Sequence, residues 1–223
     1  MDFILQNFFN LDIMSQAWPM LLRGFGMTLF LVVVVIPVGC LGGLTVAIGS
    51  QSPWRWVRWS TIVYVDFFRA FPPLVLLIFL YAGLPFAGVD LPAIVTVALA
   101  FLLNTSAYYG EIFRAGIESV GRGQTEAARS TGLTAAQTMG WVVLPQAVRN
   151  VMPDLVSNTL EVAKLTSLAS VVALPELLYS ADMARSITFN ATPIVMAAGF
   201  YLVLLWPMVR LLSRLEHRQM AGR

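Results

Sequence analysis

The stretch that decides the fold is GFGMTLFLVVVVIPVGCLGGLTVAI, residues 24–48, which runs for 25 residues without a charged side chain. About 20 mostly apolar residues are needed for one helical crossing of a bilayer, so this run predicts a membrane span. Pro37 and several glycines interrupt it, which a packed bundle tolerates. Gly39, Gly42 and Gly43 fall on neighbouring helix faces, suited to close contact with a second helix.

Working outward, four further runs have the same character: about Trp59–Leu84, Leu91–Phe113, Val151–Leu174 and Thr192–Leu212. Pro72-Pro73 in the second predicts a break, because consecutive prolines remove hydrogen-bond donors and force the preceding residue out of helical geometry. Asp66 and Arg69, one turn apart just before it, are expected to pair. Residues 1–22, with Asp12, Pro19 and Arg23 in or beside them, read as an interfacial lead-in that is retained, since no basic n-region precedes the first long apolar run.

Composition agrees. Of 223 residues 58% are hydrophobic and only 12% charged, with mean hydropathy +0.76, against roughly 25% charged in soluble domains. One cysteine, Cys40, excludes an internal disulfide. One histidine, His217 in a basic tail, argues against a histidine-centred metal or catalytic site, and a net charge of +2 does not suggest a nucleic-acid surface. No catalytic residue and no metal ligand set is expected.

Lys and Arg set the orientation. Arg55 and Arg58 follow the first span, Arg114, Arg122, Arg129 and Arg149 follow the third, and Arg210, Arg214, Arg218 and Arg223 close the chain. The loop near Pro85–Pro92 has none and the loop near Glu176–Asn190 only Arg185; Arg23 is the outlier. Five spans with the N-terminus outside and the C-terminus inside fit this distribution. The chain then reads as one all-α domain over 1–223, with a cytoplasmic loop at 115–150 and a cytoplasmic tail at 213–223.

The segment EIFRAGIESVGRGQTEAARSTGLTAAQTMGWVVLPQAVRNVMP, residues 111–153, holds the longest stretch unable to span. Gly121 and Gly123 end the preceding helix, Gln124–Ser130 is rich in helix formers, and Gly132 stops that helix. Thr134-Ala-Ala-Gln137 has capping-box spacing and starts another. Two short helices joined at a glycine are therefore predicted. Ala127 and Ala128 give the first a bare face for another protein, flanked by Glu126 and Arg129.

The spaced set Glu126-Ala127-Ala128, three residues, Gly132, nine residues, Val142, any residue, Leu144-Pro145 resembles the EAA signature of ABC importer permeases. Phe67-Phe68-Arg69-Ala-Phe-Pro72, Ala107-Tyr-Tyr-Gly-Glu111-Ile-Phe-Arg114-Ala-Gly116-Ile117, Arg122-Gly-Gln124 and Lys164-Leu-Thr166-Ser167-Leu168 are similar to the branch importing histidine, arginine, glutamine, glutamate and related solutes. The resemblance covers roughly residues 20–213. Leu165 and Glu161 depart from that branch's pattern, where an acidic and a small polar residue are common, and this leaves the substrate open.

The resemblance implies a type I ABC importer permease fold in the bacterial inner membrane. It implies a second permease subunit (the same or a paralogous chain), two copies of an ABC ATPase subunit, a periplasmic amino-acid-binding protein and surrounding lipid. No G-x-x-x-x-G-K-[ST] phosphate loop is present, so the chain is not itself an ATPase; ATP and magnesium belong to the partner, and no cofactor is expected here. Glu126, Ala127, Ala128, Arg129 and Gly132 are the candidate coupling residues. Asn104, Thr105, Tyr108, Glu161, Lys164, Thr166 and Ser167 are candidates for the substrate pathway, because polar groups within spans are costly and tend to face a cavity or a partner. Glu161 and Lys164 could instead satisfy each other, and Asn104, Thr105 and Tyr108 could tie helices together. An ion-driven transporter is disfavoured by the docking-type loop and by the lack of paired inverted repeats. An intramembrane enzyme is disfavoured by the lack of a serine–histidine set or paired acidic metal motif on a span.

Overall fold

In a bilayer a segment must satisfy its own backbone N–H and C=O groups, and the apolar runs do so as helices. A computed structural model describes residues 2–221, with 2, 3, 5 and 216–221 described by backbone alone, and contains no strand among them. The Arg223 end of the tail lies outside the described residues, as do the side chains of His217 and Arg218.

The helices are α1 (Asp2–Phe8), α2 (Leu11–Ser50), α3 (Arg55–Ala70), α4 (Pro73–Gly83), α5 (Ala93–Ser119), α6 (Arg122–Ser130), α7 (Ala135–Gln137), α8 (Leu144–Asn150), α9 (Met152–Leu165), α10 (Leu177–Thr188) and α11 (Thr192–Ala221). Tighter 3-10 turns occupy Leu84–Ala87 and Thr166–Val172, and a π-helix occupies Thr138–Val143. Three segments are long and apolar enough to cross a membrane unaided: Gln6–Ser50, α5 and Thr192–Leu215. Two bent pairs complete a possible five: α3 with Pro73–Ala87, at 99°, and Met152–Val172 with α10, at 47°.

The first bend is where the prolines predict it. Phe71 and Pro72 are extended, with ψ of 122° and 130°, because Pro72 and Pro73 each push the residue before them out of the helical region. Pro73 then opens α4, where a missing N–H costs nothing.

The chain divides into two compact units: Met1–Ile36, Pro72–Phe101 and Leu160–Arg210 form the first, and Pro37–Phe71, Leu102–Thr159 and Leu211–Arg223 the second.

In the first unit Ala17, Leu21, Leu177, Ala181, Ala184 and Ala197 form a buried cluster, flanked by Met20, Phe25 and Phe200. Residues 11–22, part of the lead-in, form the opening turns of α2, and Ala17 and Leu21 among them are core. The segment near Glu176–Asn190, read as a loop, contains α10, whose alanines face this cluster while Asp182 and Arg185 pair at 2.7 Å on its exposed side. The charges hid an amphipathic helix. Glu176 begins α10 from a fully buried position: its carboxylate accepts from the N–H groups of Leu178 (2.9 Å) and Tyr179 (2.7 Å) and from the Tyr201 hydroxyl (3.1 Å). The left-handed Phe189, φ 50°, ends it.

In the second unit the glycine stripe does what its spacing predicts. Gly39 and Gly42 lie against Thr105 and Ser106 of α5, and Gly43 against Tyr109 and Gly110. Tyr64 of α3 donates to the Leu103 carbonyl at 3.0 Å and shares a 2.6 Å hydrogen bond with Ser106. Tyr109 shares another of 2.6 Å with Thr159 of α9. Gly116 lets α5 approach the Ala147 carbonyl of α8.

Candidate coupling and pathway residues

The loop after α5 is built from short-range backbone chemistry. Gly121 is extended and starts α6. That helix ends at Thr131, whose N–H bonds the Ala127 carbonyl at 3.3 Å and whose hydroxyl donates to the Ala128 carbonyl at 2.8 Å. Gly132 follows with φ +91°, a conformation that costs any side-chain-bearing residue roughly 1–2 kcal/mol. Arg129 reaches across the turn and donates to the Leu133 carbonyl at 2.7 Å. Thr134 and Gln137 form the full capping box: the Gln137 N–H donates to the Thr134 hydroxyl at 3.3 Å, and the Thr134 N–H to the Gln137 side-chain oxygen at 2.9 Å. After this turn the chain widens into the π-helix, then resumes as α8 with Leu144-Pro145. Pro145 offers no N–H to the Trp141 carbonyl and its ring crowds that position, a standard cause of such irregularity.

The predicted pair of helices joined at a glycine is therefore present, but the alanines are split. Ala128 is buried, on the side where α6 packs against the π-helix, and only Ala127 is exposed beside Glu126. The Glu126 carboxylate is exposed, with no partner among the described residues. The exposed face of α6 thus includes Glu126 and Ala127, and Ala128 is the one residue of the helix that is buried.

The polar candidates of α5 lie in the second unit. Asn104 is buried and donates its amide to the Phe68 carbonyl at 3.0 Å. Tyr108 donates to the Arg69 carbonyl at 3.4 Å, and its ring lies 5.5 Å from the Arg69 guanidinium. Both brace α3 to α5. Thr105 is buried beneath Gly39, with its hydroxyl unpartnered.

Arg69 does not pair with Asp66, as their spacing suggests. It meets Glu111 of α5 at 3.6 Å, because the helix crossing brings an acid closer than the turn does. Glu111 is also held by Arg114 at 2.6 and 2.9 Å, and Arg114 takes Glu118 at 2.6 Å. This ladder Arg69–Glu111–Arg114–Glu118 went unread in the sequence, although the i, i+3, i+7 spacing of Glu111, Arg114 and Glu118 signals it. Asp66 is left without an ionic partner among the described residues. It lines a cavity of about 490 Å³ with Arg58, Glu111, Arg114 and Glu118.

The remaining candidates lie in the first unit. Lys164 pairs with Glu161 at 2.7 Å, with both side chains more than half exposed. Ser167 donates to the Lys164 carbonyl at 2.8 Å, while Thr166 is fully buried and donates to the Ala163 carbonyl at 2.7 Å. Glu161 and Lys164 thus present a bound pair of opposite charges to the outside of this unit, and Thr166 turns into it.

Against known proteins, residues 36–220 match the family described as binding-protein-dependent transport system inner membrane component. The probable glutamine ABC transporter permease protein GlnM of Bacillus subtilis is 36% identical over 210 residues, covering 94% of this chain and 97% of that one. The glutamate/aspartate import permease protein GltK of Escherichia coli is 31% identical over 219 residues, covering 94% and 98%. A solved structure, the crystal structure of an amino acid ABC transporter with histidines, superposes with a TM-score of 0.83 at 35% identity, covering 92% of this chain and 96% of that one. With its apolar helices, its arginine-braced α3 and α5 and its capped pair of short loop helices, the chain belongs to the binding-protein-dependent transport system inner membrane components, as a multi-pass permease of the amino-acid ABC importer type.

Proposed function

We propose that this permease forms, with a second permease subunit of the same or a paralogous sequence, the path by which a polar amino acid crosses the bacterial inner membrane. A periplasmic binding protein delivers the solute, and two ATPase subunits, which bind ATP and magnesium, drive the cycle. The chain crosses five times, with its N-terminus outside and the loop at 115–150 in the cytoplasm. The arginine distribution supports that orientation.

The observation that carries the coupling role is the exposed Glu126, without a partner among the described residues, on a helix whose end is fixed by Arg129 and Gly132. A helix that transmits force needs a rigid base and a free anchoring group. Here the capping box and the Arg129–Leu133 bond supply the base, and Glu126 with Ala127 supplies the contact. Closure of the ATPase dimer on ATP moves α6 and α7 together and switches the spans between inward-facing and outward-facing states.

For the solute, the exposed Glu161–Lys164 pair with Ser167 is the favoured pathway element: its charges are satisfied but can be exchanged for an ammonium and a carboxylate. Asn104 and Tyr108 already spend their hydrogen bonds on α3, and Thr105 and Thr166 are buried, so these four are less available to a solute. Co-expression with the ATPase and binding protein, followed by ATP-driven uptake into proteoliposomes, tests the scheme. Full uptake by Glu126→Ala and Gly132→Val at normal membrane levels would refute the coupling assignment.

A further inference from the structure

The end of the α2–α3 turn and the first residues of α3 read Pro53-Trp-Arg-Trp-Val-Arg-Trp59, and their large side chains are exposed. Trp54, Trp56 and Trp59 are 73%, 87% and 58% exposed, and Val57 adds to the same patch. Arg55 and Arg58 are exposed among them, with no acidic partner among the described residues.

No carboxylate among the described residues forms an ion pair with either arginine. Glu111 and Glu118 are held by Arg114, and Glu111 also by Arg69. Asp66, Glu111 and Glu118 line the same cavity as Arg58; Asp66 is eight residues further along α3 than Arg58, about 12 Å up the helix axis. The segment Trp54–Trp59 therefore carries two exposed guanidinium groups, unpaired with any acid among the described residues and set among three indoles.

Indoles settle where hydrocarbon meets headgroups, since the ring is apolar and its N–H is polar. Guanidinium groups at that depth meet phosphate, which they bind in forked geometry. We infer that Trp54–Trp59 is a lipid-binding surface selective for anionic phospholipid, with the indoles at the headgroup level and Arg55 and Arg58 on headgroup phosphates. The inference needs the chain to be membrane-embedded. It does not depend on orientation, substrate or coupling, so its failure and theirs are separable.

The test uses tryptophan fluorescence of the full chain in bilayer nanodiscs, with Trp18, Trp141 and Trp206 replaced by Phe so that only the three indoles of this turn report. Brominated phosphatidylglycerol and brominated phosphatidylcholine serve as contact quenchers. Quenching by the anionic lipid is expected at about tenfold lower mole fraction, somewhat less than about fivefold for each arginine acting independently. The preference should fall with added salt. R55Q/R58Q is expected to bring the two lipids within about twofold of each other, and R55K/R58K, which keeps the charge, to retain the preference. Equal quenching by both lipids in the parent chain would overturn the selectivity. Absence of quenching by either would show that protein, not lipid, covers the turn, and would overturn the proposal altogether.

Discussion

Gly43 and Tyr109 touch with no space for a side chain between them: a Cβ on Gly43 would lie 2.8 Å from the Tyr109 carbonyl carbon and 2.7 Å from the Gly110 nitrogen. The obstacle is backbone, which cannot rotate away. Gly43→Leu is therefore expected to part α2 from α5 at a cost at the top of the usual overpacking range, about 3 kcal/mol. Gly26→Leu, at a glycine with nothing within 4 Å, is the matched control and should be close to neutral. Thermal unfolding in detergent, followed by loss of the monodisperse peak, separates the two.

Gly132 needs its positive φ, so Gly132→Val is expected to strain the turn by about 1–2 kcal/mol and rotate α6 against α7. Gly132→Asn should be milder, because asparagine tolerates the left-handed region. ATP-driven uptake should fall in the order Gly, Asn, Val at equal amounts of membrane-inserted chain. A flat series would show that the angle between the helices is unimportant.

Since the Glu126 carboxylate has no partner among the described residues, Glu126→Ala should leave the stability of the isolated subunit unchanged, within about 0.5 kcal/mol. Retention of the ATPase through affinity purification is the quantity expected to drop. Arg129→Ala should do the reverse in part: it loosens the turn by removing the 2.7 Å bond to Leu133, and so lowers stability as well as ATPase retention.

Glu161 and Lys164 form an exposed pair, and such pairs contribute about 0–1 kcal/mol to stability. Glu161→Gln with Lys164→Met should therefore fold normally while raising the solute concentration needed for half-maximal uptake. Unchanged affinity and unchanged choice among amino acids would remove this pair from the pathway.

Glu176→Ala deletes the N-cap of α10 and strips the partly buried Tyr201 hydroxyl of its acceptor. The expected cost is about 2–3 kcal/mol. Glu176→Gln keeps one acceptor oxygen and should recover part of it. Unfolding temperatures of the three proteins in the same detergent give the comparison.

Much of this protein is written along the chain, where the relevant interactions are local. Uncharged runs announce helices because lipid leaves the backbone no other partner. Pro72-Pro73 announces a break through its own ring geometry, and Thr134, Gln137 and Gly132 announce a capped turn within four or five residues of one another. The EAA spacing and the glycine stripe belong to the same class. What tertiary structure alone decided involves neighbours far apart in sequence. Arg69 chooses Glu111 over Asp66 because helix crossing, not turn spacing, sets the shorter distance. Ala128 turns inward and Ala127 outward because α6 has a floor to rest on, which the repeated alanines of the triplet could not reveal. Ala17 and Leu21, with Leu177, Ala181 and Ala184, become core because each helix supplies the small apolar face the other lacks, and a face has no meaning until its partner is in place.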